Sequence, residues 1–445
     1  MKKKINVGLL GLGTVGSGVY SILKKRRSEF KRLVNADIVI KSIAIKSMSE
    51  LNGRAHLKVD RTLVTTKAES IVHDPDIDII VEVIGGREPA RSLIVEAIRH
   101  GKSVVTANKE VLANDGEEIL GLADSQGVDL YFEASVGGGI PIIHPLKEGL
   151  AANKISRVMG IVNGTTNYIL TRMSEDGSSF KEALGEAQKN GFAERDPAQD
   201  VAGHDAAAKI AILSSIAFNA RVQAPQVYRE GIAGITPDDI RYADEMGYVI
   251  KLLATGREEA GELDVRVHPA MLPKSHPLAG VREEYNAIFV EGDAVGELMF
   301  FGKGAGSLPA ASAVVGDVVA VARNLQYNRS GKIGCTCYEK KPVKKIEDAF
   351  TSYYLRIESA DQPGVLAKIS KVFGDAKVSL ASVIQKNSES NRARLVFVTY
   401  PVREKNLRAA VKKIEQLDVV KKVISVIRVE SAEHRANSRV IDNCS

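Results

Sequence analysis

Cysteine is scarce in this 445-residue chain, with only Cys335, Cys337 and Cys444 present. Three cysteines cannot build a disulfide framework, which fits a reducing, cytoplasmic compartment better than a secreted scaffold. No uninterrupted apolar run approaches the roughly 18 residues of a membrane span, so no transmembrane segment and no membrane partner are expected. Lys2 to Lys4 precede an apolar stretch in the charge order of a signal peptide. Gly8, Gly11, Gly13, Gly16 and Gly18 interrupt that stretch and no convincing cleavage site follows, so it reads as part of the folded protein. Metal-ligand spacing is also missing: the eight histidines form no such pattern, and Cys335-Thr336-Cys337 lacks the second half of a zinc site.

What is present is the mixture of a globular protein, 44% hydrophobic and 26% charged, long enough for two or three domains. The formal charge is +6, from 61 Lys+Arg against 55 Asp+Glu. It is unevenly spread. Residues 331–445 hold 22 Lys+Arg and 13 Asp+Glu, leaving 39 against 42 in the first 330. This shift marks a domain boundary with a basic linker (Lys340, Lys341, Lys344, Lys345), whose lysines read as solvated. Acidic residues are interspersed and no groove-reading motif accompanies the excess, so no nucleic-acid partner is expected.

The first 135 residues alternate short β-branched runs (5–10, 37–45, 77–83, 103–106) with helical stretches (15–25, 90–100), the order of a Rossmann-like, doubly wound parallel sheet in an α/β chain. Helices are expected over 180–190 and 203–218, and strands in an alternating region, 265–269 and 285–301, that forms a separate sheet of an α+β domain. The Ala-rich stretch 310–321 reads as a buried helix packing back on the first sheet. After the linker the order is βαββαβ, a ferredoxin-like domain. Val365, Leu366, Ile369, Val372 and Phe373, and then Leu407, Val411 and Ile414, give each of its two helices one apolar face.

Gly11-Leu12-Gly13-Thr14-Val15-Gly16 directly follows the first strand and opens the first helix. Glycines there permit a tight turn and close approach to a pyrophosphate, while the helix start offers free amides. The second strand ends at Lys46-Ser47 where an NAD site would place an acid. Lys46 reads either as a partner for a 2′-phosphate, favouring NADP and helped by Arg54 and Lys58, or as a solvated loop lysine. Lys109 follows a strand whose carboxyl end is where ligands bind; it holds a carboxylate, assists proton transfer, or is a surface residue. The segment from Glu194 through Asp200 to Lys209 is the densest polar cluster in an apolar neighbourhood. Asp205 and Lys209 share one helix face, either as an ordinary i,i+4 ion pair or as the charged end of a core helix at a cleft. A lysine at such a cleft serves as a general acid if burial lowers its pKa. Glu133 with Gly137-Gly138-Gly139 reads either as a tight turn or as a carboxylate and carbonyls around a hard cation.

Together these segments resemble the monofunctional homoserine dehydrogenases with a C-terminal ACT domain, over nearly the whole chain. Carrying the resemblance are residues 11–16, 106–109, 133–141, 163–168, the signature from Ala187 to Lys209, Gly304-Ala305-Gly306 and the loop Asp361-Gln362-Pro363-Gly364-Val365-Leu366. It implies a dinucleotide-binding domain over 1–135 completed by 305–328, a catalytic and dimerisation domain over 136–304, a linker over 329–350, an ACT regulatory domain over 351–432 and a tail over 433–445. It also implies NADP- or NAD-linked interconversion of L-aspartate 4-semialdehyde and L-homoserine, on the route to threonine and methionine. By the same resemblance Lys209 is the proton donor and Lys109 a second active-site lysine. Glu194 and Asp205, with Asp200, face the substrate, and Thr14, Val15, Gly191 and Gly304 contact the cofactor. Glu133, Val136, Gly138 and Ile140 match a sodium site. Asp361, Gly364, Val365 and Leu366 match the effector loop, with threonine the expected inhibitor, and a homodimer or tetramer is implied. Lys46 stands where the family usually has Arg, keeping the charge but losing the guanidinium fork.

Two other readings compete. An inactive ACT-linked amino-acid sensor would not retain Lys209, Lys109 and Asp205. A 2-hydroxyacid dehydrogenase with an ACT tail would usually carry its glycine fingerprint mid-chain, whereas here it begins at Gly11. A bifunctional kinase-dehydrogenase is not expected at this length.

Overall fold

The computed structural model describes residues 2–327, 334–387 and 392–430. Its first sheet contains β1 (Lys4–Leu10), β2 (Asp37–Ala44), β3 (Val64–Thr65), β4 (Ile79–Glu82), β5 (Ser103–Thr106) and β6 (Leu130–Tyr131) in the spatial order β3-β2-β1-β4-β5-β6. All pairings are parallel. Parallel strands are covered on both faces, and the apolar residues divide accordingly. Ile5, Val7 and Leu9 enter one core with Ile79, Val81 and Val105, while Leu10, Ile80 and Val104 enter the other. Helices α1 (Thr14–Lys25) and α2 (Arg27–Val34) cover the first face. Helices α3 (Ala68–Val72), α4 (Ala90–Arg99) and α5 (Lys109–Gln126) belong to the opposite side.

The middle of the chain contributes β7 (Ile155–Ile161), α6 (Gly164–Glu175), α7 (Phe180–Lys189), α8 (Ala198–Val201), α9 (His204–Ala217), β8 (Tyr228–Arg229), α10 (Pro237–Glu245), β9 (Tyr248–Glu259), β10 (Glu262–Pro273), β11 (Tyr285–Gly292) and β12 (Gly296–Lys303). Helix α9 is apolar almost all round, as a core helix must be. It lies against α5 of the first domain and against β7, β9 and β10. The expected Ala-rich helix is α11 (Ser307–Gln326), longer than the sequence pattern indicated. By length and composition α11 could cross a membrane, but its apolar residues Ala311, Val314, Val315 and Val318 are spent in the first-sheet core. Gly18 permits its close contact with α1: a Cβ there would stand 2.7 Å from the Ala311 Cβ.

The last domain is β13 (Phe350–Ala360), α12 (Val365–Asp375), β14 (Leu380–Asn387), β15 (Arg392–Thr399), β16 (Val402–Arg403), α13 (Glu404–Ile414) and β17 (Val420–Val429). This is the expected βαββαβ order with a two-residue strand added. Its core is built from Ile369 and Phe373 of α12, Leu407 and Ile414 of α13, and Leu355, Ile357 and Phe397 of the sheet.

The middle sheet is separate from the first, as expected, but not from the last domain: β17 pairs in parallel with β10 (Ala270 to Arg428, Met271 to Val429), so strands of the middle and C-terminal domains form one 11-stranded sheet. A buried ionic network reinforces the junction, with Arg356 donating to Asp239 Oδ1 and Asp238 Oδ2, both at 2.9 Å. The linker lysines, in turn, are not all solvated. Lys341 pairs with Glu258 at 3.1 Å and Lys344 with Glu259 at 3.0 Å, both lysine side chains largely covered. Linker backbone also adds to the sheet: Leu263 N–H donates to Pro342 O and Lys344 N–H to Leu263 O. The linker portion 329–333, the tail 433–445 and Cys444 lie outside the described residues.

Candidate active site

A cleft of about 630 Å³ opens between the carboxyl ends of the first sheet and the N-terminal ends of α6 and α9. On its first-domain side, Gly11 adopts φ +101°, and a Cβ on Gly16 would lie 2.1 Å from Gly11 O. Gly13 faces open space, and α1 starts with no side-chain cap and no acid in its first turn. Unspent amides above an open cradle suit a pyrophosphate. Thr14 O accepts from Ser307 Oγ at 2.6 Å, which ties the loop to α11, and Val15 lines the cleft.

Lys46 is exposed at the end of β2. The adjoining turn holds a residue that sequence reasoning missed: Glu50 accepts from the N–H groups of Lys46 and Ser47 at 3.0 and 3.2 Å in a capping box. Arg54 is bound to its own helix, donating to Glu50 O at 2.8 Å.

The substrate side is built around Asp205. Helix α9 starts at Gly203, whose φ of +80° turns the chain so that Asp205 and Lys209 share the face toward the cleft. Lys209 Nζ donates to Val162 O and Asp205 Oδ2, each at 2.7 Å. Lys109, at the start of α5, approaches Asp205 Oδ1 at 3.2 Å. Asn163 caps α6 through its Oδ1 and uses its Nδ2 on Asp200 Oδ1 (2.7 Å) and Asp205 Oδ2 (2.9 Å). Burial opposes ionisation of Asp205, but Lys209 and Lys109 outweigh it and hold the carboxyl down to about 2. Burial pulls the Lys109 ammonium down, and Asp205 more than restores it. These five side chains form one electrostatic unit, with Lys109 and Lys209 both lining the cleft.

Gly191 and Gly304 line the same cleft, whereas Glu194 does not line it and is exposed, its carbonyl accepting from Gln188 Nε2 at 3.0 Å. Gly138 and Gly304 close one end of the cleft; a Cβ on Gly138 would stand 2.4 Å from Gly304 O. Beneath Gly304, Asn286 is buried with both side-chain polar atoms unpartnered. Asn163 and Asn286 carry no local signal of a site role; Asn163 reads locally only as a helix cap.

The expected cation residues arrive in an altered form. The Glu133 carboxylate accepts from the N–H groups of Ile142, Ile143 and His144. Three of its roughly four lone-pair sites are taken by backbone, and the carboxylate still lies with His144 and Asp317 in a group whose ligand atoms are close enough to hold a metal ion. Beside it His144 Nε2 pairs with Asp317 Oδ1 at 2.9 Å. Hydrogen bonding to Asp317 holds the imidazole up to about 9 against burial, and burial pushes the Asp317 carboxyl up to about 6.

In the C-terminal domain, Gly364 (φ +87°) opens α12, and Asp361 accepts weakly from Gln385 Nε2 at 3.3 Å. The Val365 side chain is buried in the domain core, as the apolar face of its helix predicts, so only its backbone is offered to an effector, while Leu366, expected on the same face, is exposed.

Comparison with known proteins places this geometry. A family model described as homoserine dehydrogenase matches residues 141–319, one for the homoserine dehydrogenase NAD binding domain matches 11–133, and one for the ACT domain matches 353–419. The chain is 47% identical to a homoserine dehydrogenase of Synechocystis sp. over 436 residues, covering 96% of this chain and 100% of that one. It is 41% identical to one of Bacillus subtilis, covering 96% and 99%. A crystal structure of a homoserine dehydrogenase from Thiobacillus denitrificans superposes with a TM-score of 0.91 at 42% identity, covering 97% of this chain and 99% of that one. A hyperthermophilic archaeal homoserine dehydrogenase in complex with NADPH superposes at 0.62 with 27% identity, covering 72% and 97%. A glycine-loop domain, a cleft with two lysines bridged by one buried aspartate, and an ACT domain at the end of the chain therefore belong to an oxidoreductase of the homoserine dehydrogenase family.

Proposed function

We propose that the enzyme reversibly reduces L-aspartate 4-semialdehyde to L-homoserine with NADPH, with Lys209 as the proton donor. The observation that carries this is the bridging of Lys109 and Lys209 by Asp205 in the cleft facing the glycine loop. A nicotinamide dinucleotide bound along Gly11, Gly13, Thr14, Val15 and Gly16 supplies the hydride. As negative charge grows on the carbonyl oxygen, Lys209 stabilises it and gives up a proton. An ammonium has three donors; Lys209 spends two on Val162 O and Asp205, which leaves one for the substrate. Lys109 sets the second positive charge over the same space. Asp205 and Asp200, which line the cleft, attract the substrate ammonium, while Lys109 suits its carboxylate.

NADP is favoured over NAD by Lys46 at the end of β2, where the strand itself ends without an acid for a ribose hydroxyl and the adjoining Glu50 is engaged by the Lys46 and Ser47 N–H groups, and by the NADPH complex of the archaeal relative. The carbonyls of Val136, Gly138 and Ile140 suit a sodium ion as a structural brace at the cleft end, with Glu133 supplying charge from behind its amide shell. The ACT domain takes an amino-acid effector, threonine in this reading, at the Asp361–Leu366 loop. The exposed strand β12, with Met299 and Phe301 in solvent, supports a homodimer or tetramer. The scarcity of cysteine supports a cytoplasmic setting.

The test is oxidation of NADPH, and separately NADH, with aspartate semialdehyde, with and without threonine, on the parent enzyme and on Lys209→Ala. Expected are a preference for NADPH, inhibition by threonine, and a variant that binds cofactor but has lost most turnover. Near-normal turnover by Lys209→Ala refutes its role as proton donor, and a rate indifferent to threonine refutes the effector.

A further inference from the structure

The linker brings Cys335 and Cys337 together over the carboxyl-terminal end of α9, in a small cavity of about 20 Å³ lined also by Lys147, Ser215 and Arg221. Arg221 donates to Cys335 Sγ at 3.4 Å, and the Cys337 thiol donates to Ser215 O at 3.5 Å. The Cys337 backbone N–H and sulfur also lie against the Cys335 sulfur, so the one thiol hydrogen of Cys337 can turn to it instead of to Ser215 O. Tyr338 N–H bonds back to Thr336 O at 3.0 Å, bending the chain at Cys337. Both cysteines are half-buried and so reachable from solvent. The charged groups facing them are Arg221 and Lys147 on one side and Asp124 on the other. Asp124 Oδ2 is occupied at 3.2 Å by the Cys335 N–H.

This surrounding makes the two thiols unequal. The hydrogen bond from Cys337 and the guanidinium of Arg221 bring Cys335 down to about 6, whereas the same hydrogen bond and burial push Cys337 up. A low-pKa, reachable thiolate beside a second thiol is the arrangement of an attacking and a resolving cysteine. Residues two apart are joined by two virtual bonds of about 3.8 Å, so the chain itself holds the two Cα atoms under about 7.6 Å apart, and any bend at Thr336 brings them within disulfide reach, about 4.4–6.8 Å. Among the described residues no histidine or carboxylate joins the two sulfurs in a metal-ligand group.

We propose that Cys335 and Cys337 form a thiol–disulfide exchange site on the linker between the catalytic and regulatory domains, taking a small-molecule disulfide such as oxidised glutathione. The Cys335 thiolate attacks one sulfur of that disulfide, forming a mixed disulfide and expelling one thiolate, which is then protonated. Cys337 loses its proton and attacks the Cys335 sulfur, expelling the second thiolate. Both cysteines are oxidised, one external disulfide is reduced to two thiols, and no other oxidant is needed.

The full-length enzyme is incubated with oxidised glutathione near neutral pH and its peptides are mapped by mass spectrometry. Expected is an internal Cys335–Cys337 link, lighter by two hydrogens and reversed by a dithiol. In Cys337→Ser the reaction stalls as a glutathione adduct on Cys335; in Cys335→Ser no adduct forms at Cys337. Half-maximal alkylation of Cys335 is expected about two to three pH units below that of an ordinary thiol, moving upward in Arg221→Leu. The proposal is overturned if both cysteines stay reduced, if glutathione is found only on Cys444, or if Cys337 captures it equally well without Cys335.

Discussion

Replacing Asp205 by Asn tests whether one buried carboxylate organises the whole site. The side chain keeps its shape, so packing is preserved, but Lys109 and Lys209 lose their shared counter-charge. The carboxyl is held at about 2, against an ordinary 3.8. At 1.36 kcal/mol per pKa unit that is about 2–3 kcal/mol in favour of the ionised, paired form. Breaking a buried pair by removing one partner costs about 3–5 kcal/mol. A loss of about 3 kcal/mol in the site corresponds to a fall of about 100-fold in kcat/KM. Because the folded pKa is depressed, this contribution is fully present above the unfolded value near 4 and disappears as pH falls toward about 2; Asp205→Asn removes that acid dependence. Lys109 is raised by Asp205 against the pull of burial, so without the carboxylate it titrates lower and the alkaline limb of kcat/KM moves to lower pH. The assays are kcat/KM across pH, denaturant unfolding, and cofactor titration to show that the first domain is intact. A kcat/KM within threefold of the parent, with an unmoved alkaline limb, would refute the argument.

Three further outcomes are expected. Gly16→Ala places a methyl group 2.1 Å from Gly11 O; the loop must open at a cost of about 1–3 kcal/mol, and cofactor titration should show at least tenfold weaker binding, whereas unchanged affinity contradicts the cradle geometry. Arg356→Met strands the fully buried Asp239, and denaturant unfolding should register a loss of about 3–5 kcal/mol, partly recovered when Asp239→Asn is added; no recovery would speak against the ion pair. His144 is raised to about 9 by Asp317, so its contribution is present near the unfolded value of about 6.5, where Asp317, itself pushed up to about 6, is still largely ionised, and is lost as pH rises through about 9. Melting temperatures of His144→Gln should lack that alkaline decline, and a parallel decline in both proteins would exclude the pair as its cause.

Local chemistry determined a good deal. The glycine loop was legible because a tight turn between a strand and a helix restricts residue choice at consecutive positions. The βαββαβ domain was legible because each helix and strand announces its buried face through its own period, as Ile369 and Phe373 or Leu355 and Ile357 do. Asp205 and Lys209 could be paired because four residues along a helix return to the same side. Tertiary structure alone decided the rest. That Asn163 joins Asp200 and Asp205, that Lys109 completes the cluster across 96 residues, and that Glu194 stays exposed while its neighbours line the cleft depend on how separate elements dock. The junction of β10 with β17, the Arg356–Asp239 pair, the burial of Lys341 and the exposure of Leu366 have the same origin. A periodic pattern shows that a face must be buried but not which distant face buries it, and an ionic side chain does not carry its partner's position. The sequence by itself determined the elements and the chemical groups available; packing decided which of those groups meet.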